Sequence, residues 1–180
     1  MSVLLIVAVV ALVAGITGAY FADQQTSDNN AITAGTLSPT LNTTQPFDLT
    51  NAAPGDSGDA LVEYYNDPFI STLPTKVRIT ATEAADGDPE MFAALTVQAY
   101  VNDGTGEVAV GDAQPLSSFS IVPADLVAAG RAGVVNPGDT MSWRFHVVFP
   151  VTADNTTQGL TSGFSFVFDS TQESNPGWVQ

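Results

Sequence analysis

Few side chains in this sequence are placed for chemistry. The one histidine, His146, lies in "MSWRFHVVF" (141–149). Alternation along that stretch puts it with Ser142 and Arg144, opposite Trp143 and Phe145, so it reads as an exposed strand histidine. There is no HExxH pair for a zincin-type zinc site and no GxSxG elbow for a serine hydrolase. With no nucleophile–base constellation in view, the sequence predicts no catalytic residue, no cofactor and no enzyme. The densest carboxylate group is "DGDPE", with Asp86, Asp88 and Glu90 inside five residues. Such oxygen ligands suit calcium, but the spacing is not that of an EF-hand loop. Asp86, Asp88 and Glu90 are therefore only weak metal candidates, and a solvated acidic loop is the plainer reading. Asn42-Thr43-Thr44 and Asn155-Thr156-Thr157 fit N-x-[ST] in polar, loop-like stretches, which makes Asn42 and Asn155 candidate N-glycosylation sites.

The overall charge limits the partners. Nineteen acids face one Lys and three Arg, a net charge of −15. A phosphate backbone is repelled by such a surface, so nucleic acid is excluded as a partner. Salt screens the self-repulsion, and scarce lysine with abundant Asp, Thr and Ala resembles the proteins of salt-loving organisms. The absence of cysteine removes disulfides and thiolate metal sites. A domain of about 150 residues buries roughly 68–70% of its unfolded surface, enough to fold without such staples.

The N-terminal part reads as a targeting segment. Val3–Ile16 is an apolar run of 14 residues, short of the ~20 that a transmembrane helix needs and typical of a signal-peptide core. Thr17 and Ala19 supply small residues at −3 and −1, which predicts cleavage between Ala19 and Tyr20. The basic start of a signal peptide is missing, since only Met1 and Ser2 precede the run. A retained helix, counted on to Phe21 and seated in a bilayer or a pilus core, therefore stays open.

Beyond Tyr20 the chain alternates with period two. Val77, Ile79 and Ala81 share one face of "TKVRITA", and Leu95, Val97, Ala99 and Val101 share one of "LTVQAYV". Met141, Trp143, Phe145, Val147 and Phe149 do the same, as do Phe164, Phe166 and Phe168. These are half-buried strands. "LVEYYN" (61–66) is a further strand without a clear facing. Pro54-Gly55-Asp56 and Pro137-Gly138-Asp139 each read as a tight turn before a strand. Two helical turns are signalled, one with Asp88 as N-cap and Pro89 first, the other running from Pro123 to a stop at Gly130. The pattern predicts an all-β chain: an antiparallel jelly-roll-like β-sandwich with one or two short helices, preceded by an N-terminal signal helix.

Three blocks resemble the TasA/camelysin family of secreted, fibre-forming biofilm matrix proteins, in a halophile-like, archaeal-type variant. The first is "GITGAYFADQQTSDNNAITAGTL" (15–37), where Ala19, Phe21, Asp23, Ala34, Gly35, Thr36 and Leu37 match the family pattern and Ile32 replaces its aromatic. The second is "NAAPGDSGDALVEYYND", and the third is "FPVTADNTTQGLTSGFSFVFDSTQ". The middle, about 83–134, matches little. The resemblance implies a jelly roll, export, removal of the signal peptide and polymerisation outside the cell. It divides the chain into a signal peptide (1–19), an N-terminal donor segment (20–30) and a jelly-roll domain (31–180). Part of the family carries a metalloprotease description, which the single histidine counts against.

In fibres of this family the mature N-terminus of one subunit enters the next as a strand. Here that donor would be Tyr20, Phe21, Ala22, Asp23, Gln24, Gln25 and Thr26. The physics is general: an incomplete sandwich exposes a strand edge, a donated strand satisfies it, and a head-to-tail contact grows without closing. The expected partner is the chain itself, with other matrix or anchor proteins as further candidates and the membrane met only through the signal segment. The acceptor lining is expected among the odd-numbered 141–149 residues or the Phe164/Phe166/Phe168 face, unless these are ordinary core. The alternative is a monomeric surface adhesion or binding module, or a pilin-like subunit that keeps its helix.

Overall fold

The computed structural model describes residues 22–26, 39–45, 52–85, 87–153, 155–157 and 159–173. The expected signal segment, its cleavage point at Ala19 and Tyr20, and Phe21 lie outside them. Among the described residues the chain forms nine strands: β1 (Ala22–Thr26), β2 (Pro39–Gln45), β3 (Ser57–Asn66), β4 (Thr75–Glu83), β5 (Thr96–Asn102), β6 (Glu107–Pro115), β7 (Ser120–Ile121), β8 (Thr140–Val148) and β9 (Phe164–Gln172). Two short helices join them, α1 (Pro89–Ala94) and α2 (Pro123–Ala128).

All the strand pairs are antiparallel. One sheet runs β1-β9-β4-β7 and the other β2-β3-β8-β5-β6. First pairs with last, and the pairing moves inward: β1 with β9, β3 with β8, β4 with β7, β5 with β6. This is a long hairpin rolled into two sheets, the jelly-roll order, with β2 added outside β3. The expected all-β jelly roll with two short helices is what the chain forms.

The alternation read from sequence sets the layers. Val77 and Ile79 on β4, Val97, Ala99 and Val101 on β5, and Met141, Trp143, Phe145 and Val147 on β8 are buried between the sheets. The facing of β3 is now clear: Ala60, Val62 and Tyr64 point inward, and the strand begins at Ser57. Aromatic rings bind the sheets together. Phe145 of β8 stacks on Phe166 of β9 with centroids 3.9 Å apart, and Phe119 meets both edge-on. Such aromatic pairs add about 0.5–1.5 kcal/mol each beyond the area they bury.

The two PGD turns close the β3–β8 ladder at opposite ends. Gly55 N donates to Phe149 O, and Phe149 N returns a bond to Asp56 O. At the far end Gly138 N donates to Asn66 O, and Asn66 N returns a bond to Asp139 O. Both glycines hold φ in the left-handed region, +104° at Gly55 and +90° at Gly138, where an L side chain is strained. The repeated tripeptide is one local device used twice.

Three strands were not anticipated. β2 is a polar edge strand whose "PTLNTTQ" has the composition of a loop, so Asn42, expected in a loop-like stretch, sits on a strand. β6 carries Gly111, with φ in the left-handed region, at an irregular register opposite Val97–Ala99. β7 has only two residues and is specified by its pairing with Ile79 and Thr80.

Candidate functional site: the β9 edge

β1 is the outermost strand of its sheet and pairs along one side of β9. The register runs from Ala22 opposite Thr171 to Thr26 opposite Val167. Five of the seven expected donor residues, Ala22 to Thr26, are thus in strand conformation, seated on the edge of their own chain. Tyr20 and Phe21 lie outside the described residues.

The seat is built without β1. On its other side β9 pairs with β4 over nine residues, from Gln172 opposite Thr75 to Phe164 opposite Glu83. Phe166 and Phe168 lock its inner face into the aromatic core. The Tyr64 hydroxyl crosses the core to within 3.0 Å of Ser170 Oγ and of Thr75 Oγ1. On the outer face Arg78 Nη2 lies 2.8 Å from Asp169 Oδ2. Without β1, β9 would remain a supported strand with one row of open backbone groups, the arrangement that accepts an added strand. Within the chain itself, β1 occupies that edge of β9. The odd-numbered 141–149 residues and Phe166 and Phe168 are ordinary core, and Phe164 packs partly buried against it.

The connection out of β1 has to reach the other end of the sandwich. Thr26 is opposite Val167, whereas Pro39, the first residue of β2, is opposite Asn66 at the other end of the sandwich. The twelve residues 27–38 join them. An extended tether of that length reaches about 40–45 Å, enough to cross a domain.

The remaining candidates are dispersed. Asp88 Oδ1 accepts from Glu90 N at 2.9 Å, so its carboxylate caps α1. Glu90 is exposed in the first turn of that helix, and Asp86 lies outside the described residues. Asn42 is exposed, and its Nδ2 donates to Glu63 Oε2 at 3.4 Å. Asn155 opens a 3-10 turn, Asn155–Thr157, whose Thr157 is buried.

His146 points outward as expected, but it has company that the sequence did not announce. Its Nδ1 is 2.8 Å from Asp59 Oδ1, directly across the β3–β8 ladder. The same oxygen lies 3.3 Å from Arg144 Nη1, and Arg144 also grips Glu107 through Nε at 3.0 Å and Nη2 at 2.6 Å. The guanidinium stands 3.9 Å above the Tyr100 ring. Hydrogen bonding to Arg144, reinforced by its charge, holds the Glu107 carboxyl below its ordinary range, and the same contact pushes Arg144 further up. These residues come from β3, β5, β6 and β8. Only the strand register brings them together.

The family model described as camelysin metallo-endopeptidase matches residues 1–176. The chain belongs to that family. No curated protein matches it. The family description implies a metal, and the described side chains of this camelysin-family chain do not fit one. A catalytic zinc takes three protein ligands, usually rich in histidine. Here the single imidazole faces a carboxylate oxygen already shared with a guanidinium, so an added cation would stand beside Arg144. Among the described residues no three His, Cys, Asp or Glu side chains are grouped to hold a metal ion. No described helix is long and apolar enough to cross a membrane.

Proposed function

We propose that this chain is the structural subunit of an extracellular fibre, exported with removal of residues 1–19 and polymerised head-to-tail by strand exchange rather than acting as a peptidase. Residues 20–26 of one subunit leave their own β9 and pair with β9 of the next. The observation that carries this reading is the pairing of β1 with β9: an N-terminal edge strand on a long tether, beside an edge that the rest of the fold holds in place. Family membership supports the same reading.

In this view the described conformation is the self-capped subunit. Its β1 shields the β9 edge until a neighbour's β1 replaces it. A tethered strand has an effective concentration in the millimolar range, so dilute protein stays closed and concentrated protein exchanges. N-terminal sequencing of the native protein should begin at Tyr20. Mature protein should form filaments above a critical concentration, and deletion of residues 20–27 should leave a folded domain that forms none. Filaments of unchanged form from the deleted protein would refute the strand-exchange reading.

A further inference from the structure

Strand exchange by itself is nearly neutral, because the β1–β9 hydrogen bonds broken in one subunit are remade in the next. A polymer therefore needs a contact that the closed subunit lacks. The attachment points of the tether bring one pair of ends within easy reach of each other. An exchanged β1 ends opposite Val167 of the acceptor, and its chain must then reach Pro39 of the donor, opposite Asn66. Val167 lies toward the end of the sandwich where β9 begins and β8 finishes; Asn66 lies at the opposite end. The direct course of the tether, well inside its reach, sets the Asn66 end of the donor beside the 150–152 end of the acceptor.

Exposed apolar side chains occupy both ends. Between β3 and β4, Phe69 is 95% exposed, with Ile70 and Leu73 also in solvent. At the other end Val151 is 76% exposed, beside Gly55 at the start of β3. Phe69 is held out by a built turn. Its N–H donates to Asp67 Oδ1 at 2.8 Å, Ser71 N donates to Asp67 O, and buried Asn66 donates through Nδ2 to Leu73 O and Val135 O. A Phe-Ile pair fixed outward by its own hydrogen bonds is unusual on an isolated soluble domain with a net charge of −15.

We propose that the Phe69–Ile70 tip of one subunit docks on the Val151 edge of the next copy of this chain, and that this contact drives the exchange. The inference rests on the strand-exchange reading for the orientation of neighbours. It assigns the head and tail surfaces that the reading leaves open.

The chain has no cysteine, which permits a direct test. In Phe69→Cys/Val151→Cys mature protein the two thiols lie at opposite ends of β3, whose ten residues span about 33 Å, so they cannot pair within one subunit. Oxidised assemblies should give a ladder of covalent multimers on a non-reducing gel, while each single variant stops at dimers. Phe69→Ser/Ile70→Ser protein should fold normally and raise the critical concentration at least tenfold. Filaments that form at the wild-type concentration in that variant, with no ladder from the double cysteine, overturn the docking contact yet leave strand exchange standing. A ladder that persists after deletion of 20–27 upholds the contact and sinks strand exchange instead. Tip-dependent binding to lipid vesicles without a ladder would assign the tip to a membrane and overturn the proposal.

Discussion

The Tyr64 hydroxyl stands 3.0 Å from Ser170 Oγ, joining β3 of one sheet to β9 of the other through the middle of the core. Thr75 Oγ1 lies equally close, so one phenol ties together three strands. Tyr64 and Thr75 are fully buried and Ser170 nearly so, so water cannot replace the bonds. Tyr64→Phe should therefore lower unfolding stability by about 1–3 kcal/mol, the range for taking a buried partner from the Ser170 hydroxyl, while Thr75 Oγ1 keeps Val135 O at 3.4 Å. Urea unfolding followed by circular dichroism measures it. Because Ser170 is on β9, amide exchange along β9 should rise more than along β5 or β6.

The paired PGD turns predict an asymmetry between two alike substitutions. Gly55→Ala and Gly138→Ala both force an L residue to positive φ, a strain of about 1–2 kcal/mol. A Cβ at Gly138 meets only Pro68 Cγ at 3.9 Å, whereas one at Gly55 meets Val151 Cγ1 at 3.2 Å. Gly55→Ala should be the more destabilising in thermal unfolding. Adding Val151→Ala should recover part of the loss at Gly55 and none at Gly138.

Acid should find the Arg144 cluster early. The folded-state carboxyl of Glu107 titrates below its ordinary value near 4.5, first through its hydrogen bond to Arg144. A depressed acid contributes stability that is complete above the unfolded value and is lost as pH falls through the folded one. Wild type should thus lose a small increment below about pH 4.5 that Glu107→Gln lacks at every pH. Glu107 is substantially exposed, so the increment should be of the order of 0.2–1 kcal/mol and shrink with salt. Denaturation midpoints of the two proteins between pH 3 and 7 should converge at the acid end, following the general linkage of proton binding to stability.

Periodicity made the inner faces of β4, β5 and β8 legible, since Val77, Val97 and Trp143 each lie in strict alternation. It missed β2 and β7 because their identity is relational: polar "PTLNTTQ" becomes a strand only beside β3, and Ser120-Ile121 only beside β4. The expected donor segment came from family resemblance, which did not reveal that its residues Ala22–Thr26 pair with β9 of their own chain. Phe166 and Phe168 could be read as groove lining, with ordinary core the plainer reading. The structure makes them core, and β1 lies along the backbone edge of β9 instead. The Asp59–His146 contact was invisible for a similar reason: the two are 87 positions apart and meet through register alone.

Lateral association of filaments should depend on screening. Each subunit of the proposed filament would carry −15, so parallel filaments would repel across their flanks. The Debye length falls from about 30 Å at 0.01 M salt to about 3 Å at 1 M, shorter than the gap between approaching surfaces. Bundling should therefore grow with salt. Strand exchange, made of backbone hydrogen bonds, and the apolar tip contact should survive it. Light scattering and electron microscopy of preformed filaments titrated with sodium chloride separate the two levels. Single filaments at low salt that gather into bundles at high salt are expected. Bundles that dissolve as salt is added would mean that attraction between charged flanks holds them, and would contradict the repulsion argument.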